Sequence, residues 1–202
     1  APALRALVDG IRNYVNKRQY AQATTTLDQL LPKLAPIYQE YLRQKEAKPK
    51  YEELLAEQTS RLEPLKAAER PSQPMTTKAG EADAALQDAK GKADTKDFVA
   101  GLEQLGTMKA AVDELDKMAN DPERAKFLAD IGTIDQVVQP PSGEAFHSQE
   151  ADWTAITTLK DEIAPAGDGG DYAGANQKFA DLKEKVDAFK ARHDELEQQK
   201  KD

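Results

Sequence analysis

The chain has no cysteine and only two histidines, so any metal or nucleophilic chemistry must be built around His147 and His193. A helical metal pair needs a second ligand one turn away and further ligands to close the shell. Neither histidine has another at i+4, although His193 has Glu197 at that spacing. Two ligands fall short of a zinc site, and the pair reads as a solvated helix face. His147-Ser148 stands near Glu144 and Glu150, the residue types of acid–base chemistry. Neighbours in a loop fix no mutual geometry, and geometry comes first for a general base. No catalytic, metal or cofactor-binding residue is assigned, and the chain reads as a non-enzyme.

Two other stretches have the residue types of ion binding. Asp168 to Asp171 carries carboxylates around glycines, but a calcium loop needs ligands at five or six positions and a closing Glu. The same slot elsewhere in the chain holds Asp94 to Asp97 and Asn16 to Gln19, which are helix caps and turn formers. Gly167, Gly169 and Gly170 suit a helix stop, and no Gly-Lys-Ser/Thr follows them to cradle phosphate. Arg43, Lys45, Lys48 and Lys50 lie near Tyr38, Tyr41 and Tyr51. Phosphate contact requires a more concentrated basic face, so nucleic acid is not expected as a partner, and the tyrosines read as core.

The elements around these residues repeat. Tyr20, Phe98 and Tyr172 each open one helical stripe. Three residues on stand Ala23, Gly101 and Ala175; seven on, Leu27, Leu105 and Phe179; ten on, Leu30, Met108 and Leu182. The stripe continues through Leu34, Val112 and Val186 to Ile37, Leu115 and Phe189. Steps of three and four keep all six positions on one helix face. A shorter helix precedes each marker, through Leu4, Leu7 and Ile11, then Ala82, Ala85 and Ala89, then Ile156, Leu159 and Ile163. A third helix follows in two copies, through Leu54, Leu55, Leu62 and Leu65, and through Phe127, Leu128, Ile131, Ile134 and Val138. Pro49 and Pro122 sign its starts, and Pro64 predicts an early kink or end. The markers lie 78 and 74 residues apart, which predicts tandem duplication.

The expected fold is therefore all-α, a helical-repeat array of antiparallel three-helix units. Residues 1–78 form unit one, 79–149 unit two, and 150–202 a partial unit of two helices. Residues 70–78 and 139–149 are rich in Pro and Ser and predict extended joints. Pro32 and Pro36 predict a kink or break in the second helix of copy one. Trp153, the only tryptophan, reads as a ring over a junction or as an interface anchor. The Asp-Tyr-x-x-Ala stretch at Asp171, Tyr172 and Ala175 is similar to the start of a helix in tetratricopeptide repeats. The period here is more than twice the roughly 34 residues of that family, and its Trp-Leu-Gly-Tyr pattern is missing. That family's peptide groove is therefore not carried over.

Composition fits exposed amphipathic helices, with 39% apolar and 32% charged residues. Residues 1–78 carry a net +4 and residues 79–202 a net −12, which fits solvated faces or a basic partner for the acidic part. No run of eighteen apolar residues exists, so no membrane span is expected. The chain begins Ala-Pro-Ala rather than with Met, and its end falls where a third helix is due. Both features predict an excised piece of something longer. Cysteine usage does not fix the compartment. The function expected is a scaffold, spacer or protein-interaction module with an unidentified protein partner. The alternatives are an accessory domain of an enzyme or secreted toxin, or a peripheral membrane binder. The lipid alternative ranks last because the apolar stripes are needed for internal packing and the net charge is negative.

Overall fold

The structure, a computed structural model, describes residues 2–140 and 149–199. Among these residues every element is helical and there is no strand. The helices are α1 (Pro2–Asn16), α2 (Tyr20–Lys66), α3 (Gln73–Asp94), α4 (Phe98–Ala119), α5 (Pro122–Ile131), α6 (Ile134–Val137), α7 (Glu150–Asp168) and α8 (Tyr172–Gln199).

Three hairpins, α1–α2, α3–α4 and α7–α8, close with one hydrogen-bond scheme. In the first, Arg18 N–H donates to the Val15 carbonyl and Gln19 N–H to the Tyr14 carbonyl. Lys96 to Ala93 and Asp97 to Lys92 repeat this in the second, as do Gly170 to Gly167 and Asp171 to Ala166 in the third. These are the paired bonds of a Schellman stop, which requires a left-handed residue. That residue stands two before each marker, with φ of 58° at Arg18, 63° at Lys96 and 92° at Gly170. Gly170 adopts it without the Cβ clash that Arg18 and Lys96 must tolerate. The next residue starts the following helix. Asp97 Oδ1 accepts from Ala100 N–H at 3.1 Å, and Asp171 Oδ1 from Gly174 N–H at 2.9 Å. Gln19 occupies that place in the first hairpin.

Helix α2 is not broken at the prolines where a kink or a break was expected. It runs 47 residues through Pro32, Pro36, Pro49 and Pro64, so the second and third helices of copy one are one element. A proline removes one N–H and frees the carbonyl four residues earlier. All four prolines are exposed, so water can satisfy those carbonyls and helix assignment continues. The copy-two third helix is instead interrupted at Gly132-Thr133. Its start is as signed: Asp121 Oδ1 accepts from Glu123 N–H at 2.8 Å, with Pro122 in the first turn. The joint expected at residues 70–78 is shorter, because α3 begins at Gln73 with Pro74 in its first turn. Most of the joint expected at 139–149 lies outside the described residues.

The chain divides into two compact units. The first comprises Ala1–Ala56 with Leu86–Gly106, and the second Glu57–Ala85 with Thr107–Asp202. In the second unit, Phe127, Ile134, Val138, Ile156, Ile163, Tyr172, Phe179, Leu182, Val186 and Phe189 form a continuous buried cluster. Burying such side chains contributes about 1.5–3 kcal/mol each before entropy is counted. Helix α5 packs on both α7 and α8. In the first unit, Tyr51 is buried against Phe98, with ring centroids 5.7 Å apart. Burial raises the Tyr51 phenol above its ordinary value, and Asp94 adds to this.

Candidate interaction surface

The six stripe positions behave differently in the three hairpins. In α8, Tyr172, Ala175, Phe179, Leu182, Val186 and Phe189 are all buried. In α4, Gly101, Leu105, Met108, Val112 and Leu115 are buried, and Phe98 is half-buried. In α2 only Ala23 and Leu30 are buried. Tyr20 and Leu27, expected in the repeat core, are 63% and 41% exposed, and Leu34 and Ile37 are exposed with them. The reason lies in the cover. Helix α1 has no buried residue of its own, and its Leu4, Leu7, Ile11 and Tyr14 are half-buried. Its Gly10 stands beside Thr26 of α2, and α2 keeps an exposed ridge from Leu27 to Tyr41.

That ridge is continuous. Leu27, Leu31, Leu34, Tyr38 and Tyr41 follow each other at steps of 4, 3, 4 and 3, and all are exposed. Tyr38 and Tyr41 are each 58% exposed, so they are not core, and their rings stack at 6.4 Å. A 4-3 seam of this kind is the pattern of a helix that faces another helix. The basic cluster lies at its end. Arg43 approaches Glu40 at 3.9 Å and Lys48 approaches Glu52 at 3.6 Å. Lys45, Lys48 and Lys96 line a shallow cleft with Tyr41 and Phe98, and Lys48 Nζ stands 5.9 Å from the centre of the Phe98 ring.

What covers the equivalent face elsewhere is visible in each unit. In the first unit, Tyr51 of α2 lies against the marker Phe98, and Gly101 gives it room: a Cβ there would sit 2.9 Å from Tyr51 Cε2. Gln44 fixes the adjoining turn by donating to Asp97 and accepting from Val99 N–H, both at 3.2 Å. In the second unit, Phe127 of α5 lies 5.7 Å from the marker Tyr172, and a Cβ on Gly167 would collide with the Phe127 ring. Asn176 Nδ2 donates to the Glu123 carbonyl at 2.9 Å and to its carboxylate at 2.6 Å. Seven residues on in both helices, Lys183 reaches Asp130 at 3.8 Å. Helix α5 therefore runs parallel to α8.

The joint before α3 is held by arginines. The Arg70 guanidinium takes both Asp168 oxygens, at 2.7 and 3.0 Å, and lies over Phe127. Arg124 is buried and donates to the carbonyls of Glu69 and Ala119. Sequence reasoning missed Arg124, Gln58 and Asn176. The two covering segments could have flagged the first two: shifted by 76 residues, Lys48, Tyr51, Leu55, Gln58 and Leu62 align with Arg124, Phe127, Ile131, Ile134 and Val138.

His193 corrects the expectation of a solvated face. It is buried, and its ring stacks on Phe189 with an interplanar angle of 10°. Trp153 is half-buried and packs on Phe189 at 5.1 Å, within the α7–α8 hairpin. His147, Ser148 and Glu144 lie outside the described residues. Among the described residues no cluster of three or more His, Cys, Asp or Glu could hold a metal, and no helix is long and apolar enough to cross a membrane. No protein-family model, curated protein or solved structure matches this chain.

Proposed function

We propose that this chain is a protein-interaction scaffold built from duplicated helical units, with the first hairpin as its binding end. One observation carries the reading. A hairpin register that is covered by a helix in α4 and α8 is bare in α2, and it is bare along an uninterrupted apolar ridge. An exposed apolar surface of this kind, unlike scattered surface leucines, marks a site of association. The joints repeat as well: Tyr51 on Phe98 and Phe127 on Tyr172 share the same ring separation. Repetition of one joint supports stacking as the construction rule, and a stacked series offers surface rather than a concentrated reactive centre.

The test is site-specific photo-crosslinking in native cells. A photoreactive residue at Leu31 should yield defined protein adducts, whereas one at the exposed Ala180 of α8 should not. Absence of protein adducts at Leu31, or equal yields at both positions, would overturn the reading. A lipid-surface role gains one point from the structure, because the stripe of copy one is not consumed by internal packing. Residues 1–78 also carry a net positive charge. Flotation with anionic vesicles at physiological salt separates the two: recovery in the floated fraction favours lipid, and recovery in the soluble fraction favours a protein partner.

A further inference from the structure

We propose that the ridge of Leu27, Leu31, Leu34, Tyr38 and Tyr41 seats an amphipathic helix of a protein partner. That helix lies parallel to α2 and has a wider apolar face than the covers built into this chain. The inference rests on the interaction reading above and specifies its partner by chemistry.

The chain itself supplies the precedent. Twice, a segment with a basic residue, an aromatic three on, and aliphatics four and eleven beyond the aromatic covers this register, as continuous helix in the first case and as α5, α6 and the residue that follows in the second. The residues are Lys48, Tyr51, Leu55 and Leu62, and then Arg124, Phe127, Ile131 and Val138. In each case the aromatic stands on the marker ring of the following hairpin. In the second unit the pairs Glu123–Asn176 and Asp130–Lys183 fix the register and the parallel direction. Tyr20, the first marker, has no such ring on it among the described residues and stands open.

The flanks make the partner specific. Eleven and eighteen residues past the marker, α4 has Lys109 and Asp116, and α8 has Lys183 and Lys190. These flanks meet charges on the covers: Arg61 lies 4.0 Å from Asp116, and Lys183 lies 3.8 Å from Asp130. At the same two places α2 has Leu31 and Tyr38. A charge on the incoming helix opposite them would be desolvated without a counter-ion, which is costly. The two flanking pairs place the facing residues three and ten beyond the partner's aromatic, where this chain's covers carry Asp130 and Arg61. The partner therefore has apolar residues at both places. The seat over Tyr20 is also shallower. Ala23 and Val15 stand where Gly101 and Gly167 make room for a ring in the other hairpins, so the partner's ring lies higher.

The test uses the full chain and a labelled peptide of residues 44–66, read by fluorescence anisotropy. This peptide already has Leu54 three beyond its aromatic and Arg61 ten beyond it. The expected result is saturable binding that tightens by about threefold or more in the Arg61→Leu peptide and weakens by about tenfold in the Leu54→Asp peptide. The chain variant Leu27→Asp/Leu34→Asp should abolish binding. Leu31→Glu, at a position already exposed, provides a second variant that leaves the fold intact, as circular dichroism would verify. Binding that survives both chain variants would mean that the peptide seats elsewhere, and the proposal fails. It also fails if the Arg61→Leu peptide binds no better. Failure with concentration-dependent self-association that Leu31→Glu abolishes would assign the ridge to a second copy of this chain. Protein adducts at Leu31 without peptide binding would retain the interaction reading and remove the helical partner.

Discussion

The α1–α2 and α7–α8 hairpins share one turn geometry and one register, yet they differ in burial. In α8 all six stripe positions are buried, and in α2 only two are. The difference lies in what stands over the stripe. Helix α5 packs on both α7 and α8, whereas α2 meets α1 beside Gly10 and Thr26 and keeps an exposed ridge from Leu27 to Tyr41. Amphipathic periodicity thus specifies a face that can be buried, and a third element decides whether it is.

The sharpest way to break this comparison is to cut a large side chain on each side of it. Phe127→Ala removes a ring that is 1% exposed, so a loss of about 3–5 kcal/mol is expected from urea unfolding. Leu31→Ala, at 55% exposure, should stay within about 0.5 kcal/mol. Comparable losses would mean that the ridge is covered in solution. Glycines give the next contrast. Gly167→Ala drives a methyl into Phe127 and should cost about 1–3 kcal/mol. Gly10→Ala meets only Thr26 Cγ2 at 3.9 Å and should gain about 0.5–1 kcal/mol from reduced backbone freedom, raising the thermal midpoint. Opposite signs are the expected outcome; the same sign at both sites would undo the contrast.

Caps give a smaller effect. Asp171→Ala loses the bond to Gly174 N–H and should cost about 1 kcal/mol, while Gln19→Asp supplies the missing cap and should gain a similar amount. Thermal unfolding of the two single variants decides this. The smallest effect is acid sensitivity in the second unit. Lys109, then Arg61, hold the Asp113 carboxyl below its ordinary value, and Lys78 does the same for Glu114. A depressed carboxylate stabilises the fold above its unfolded value and loses that contribution as pH falls through the folded one. The stability gap between the native chain and Lys78→Gln should therefore shrink as pH drops below about 4. A gap constant from neutral pH to pH 3 would remove these pairs from the account.

Fold class and the three hairpins were legible because step-three-and-four periodicity persists from Tyr20, Phe98 and Tyr172. The ridge was only half legible. Sequence placed Leu27, Leu34 and Ile37 on one face, but it could not say that among the described residues no helix buries them. Leu31 and Tyr38 lie one step off the repeated register, so a search for recurrence passed over the residues that make copy one different. The unbroken α2 was misread because proline rules count the lost hydrogen bond and not its exposure to water. His193 was misread because a polar residue between Ala191, Arg192, Asp194 and Glu195 looks solvated, whereas the Phe189 ring a turn earlier shields it.

Arg18, Lys96 and Gly170 share a left-handed backbone with no side-chain chemistry in common. The turn is held by the same main-chain bonds in all three, whatever side chain stands there. A further hairpin with this turn could differ at nearly every turn position and escape any comparison of letters. Its signature would be a lone positive φ two residues ahead of a large aromatic that opens the next helix. Searching by dihedral angle instead of by residue type is the way to find such hairpins.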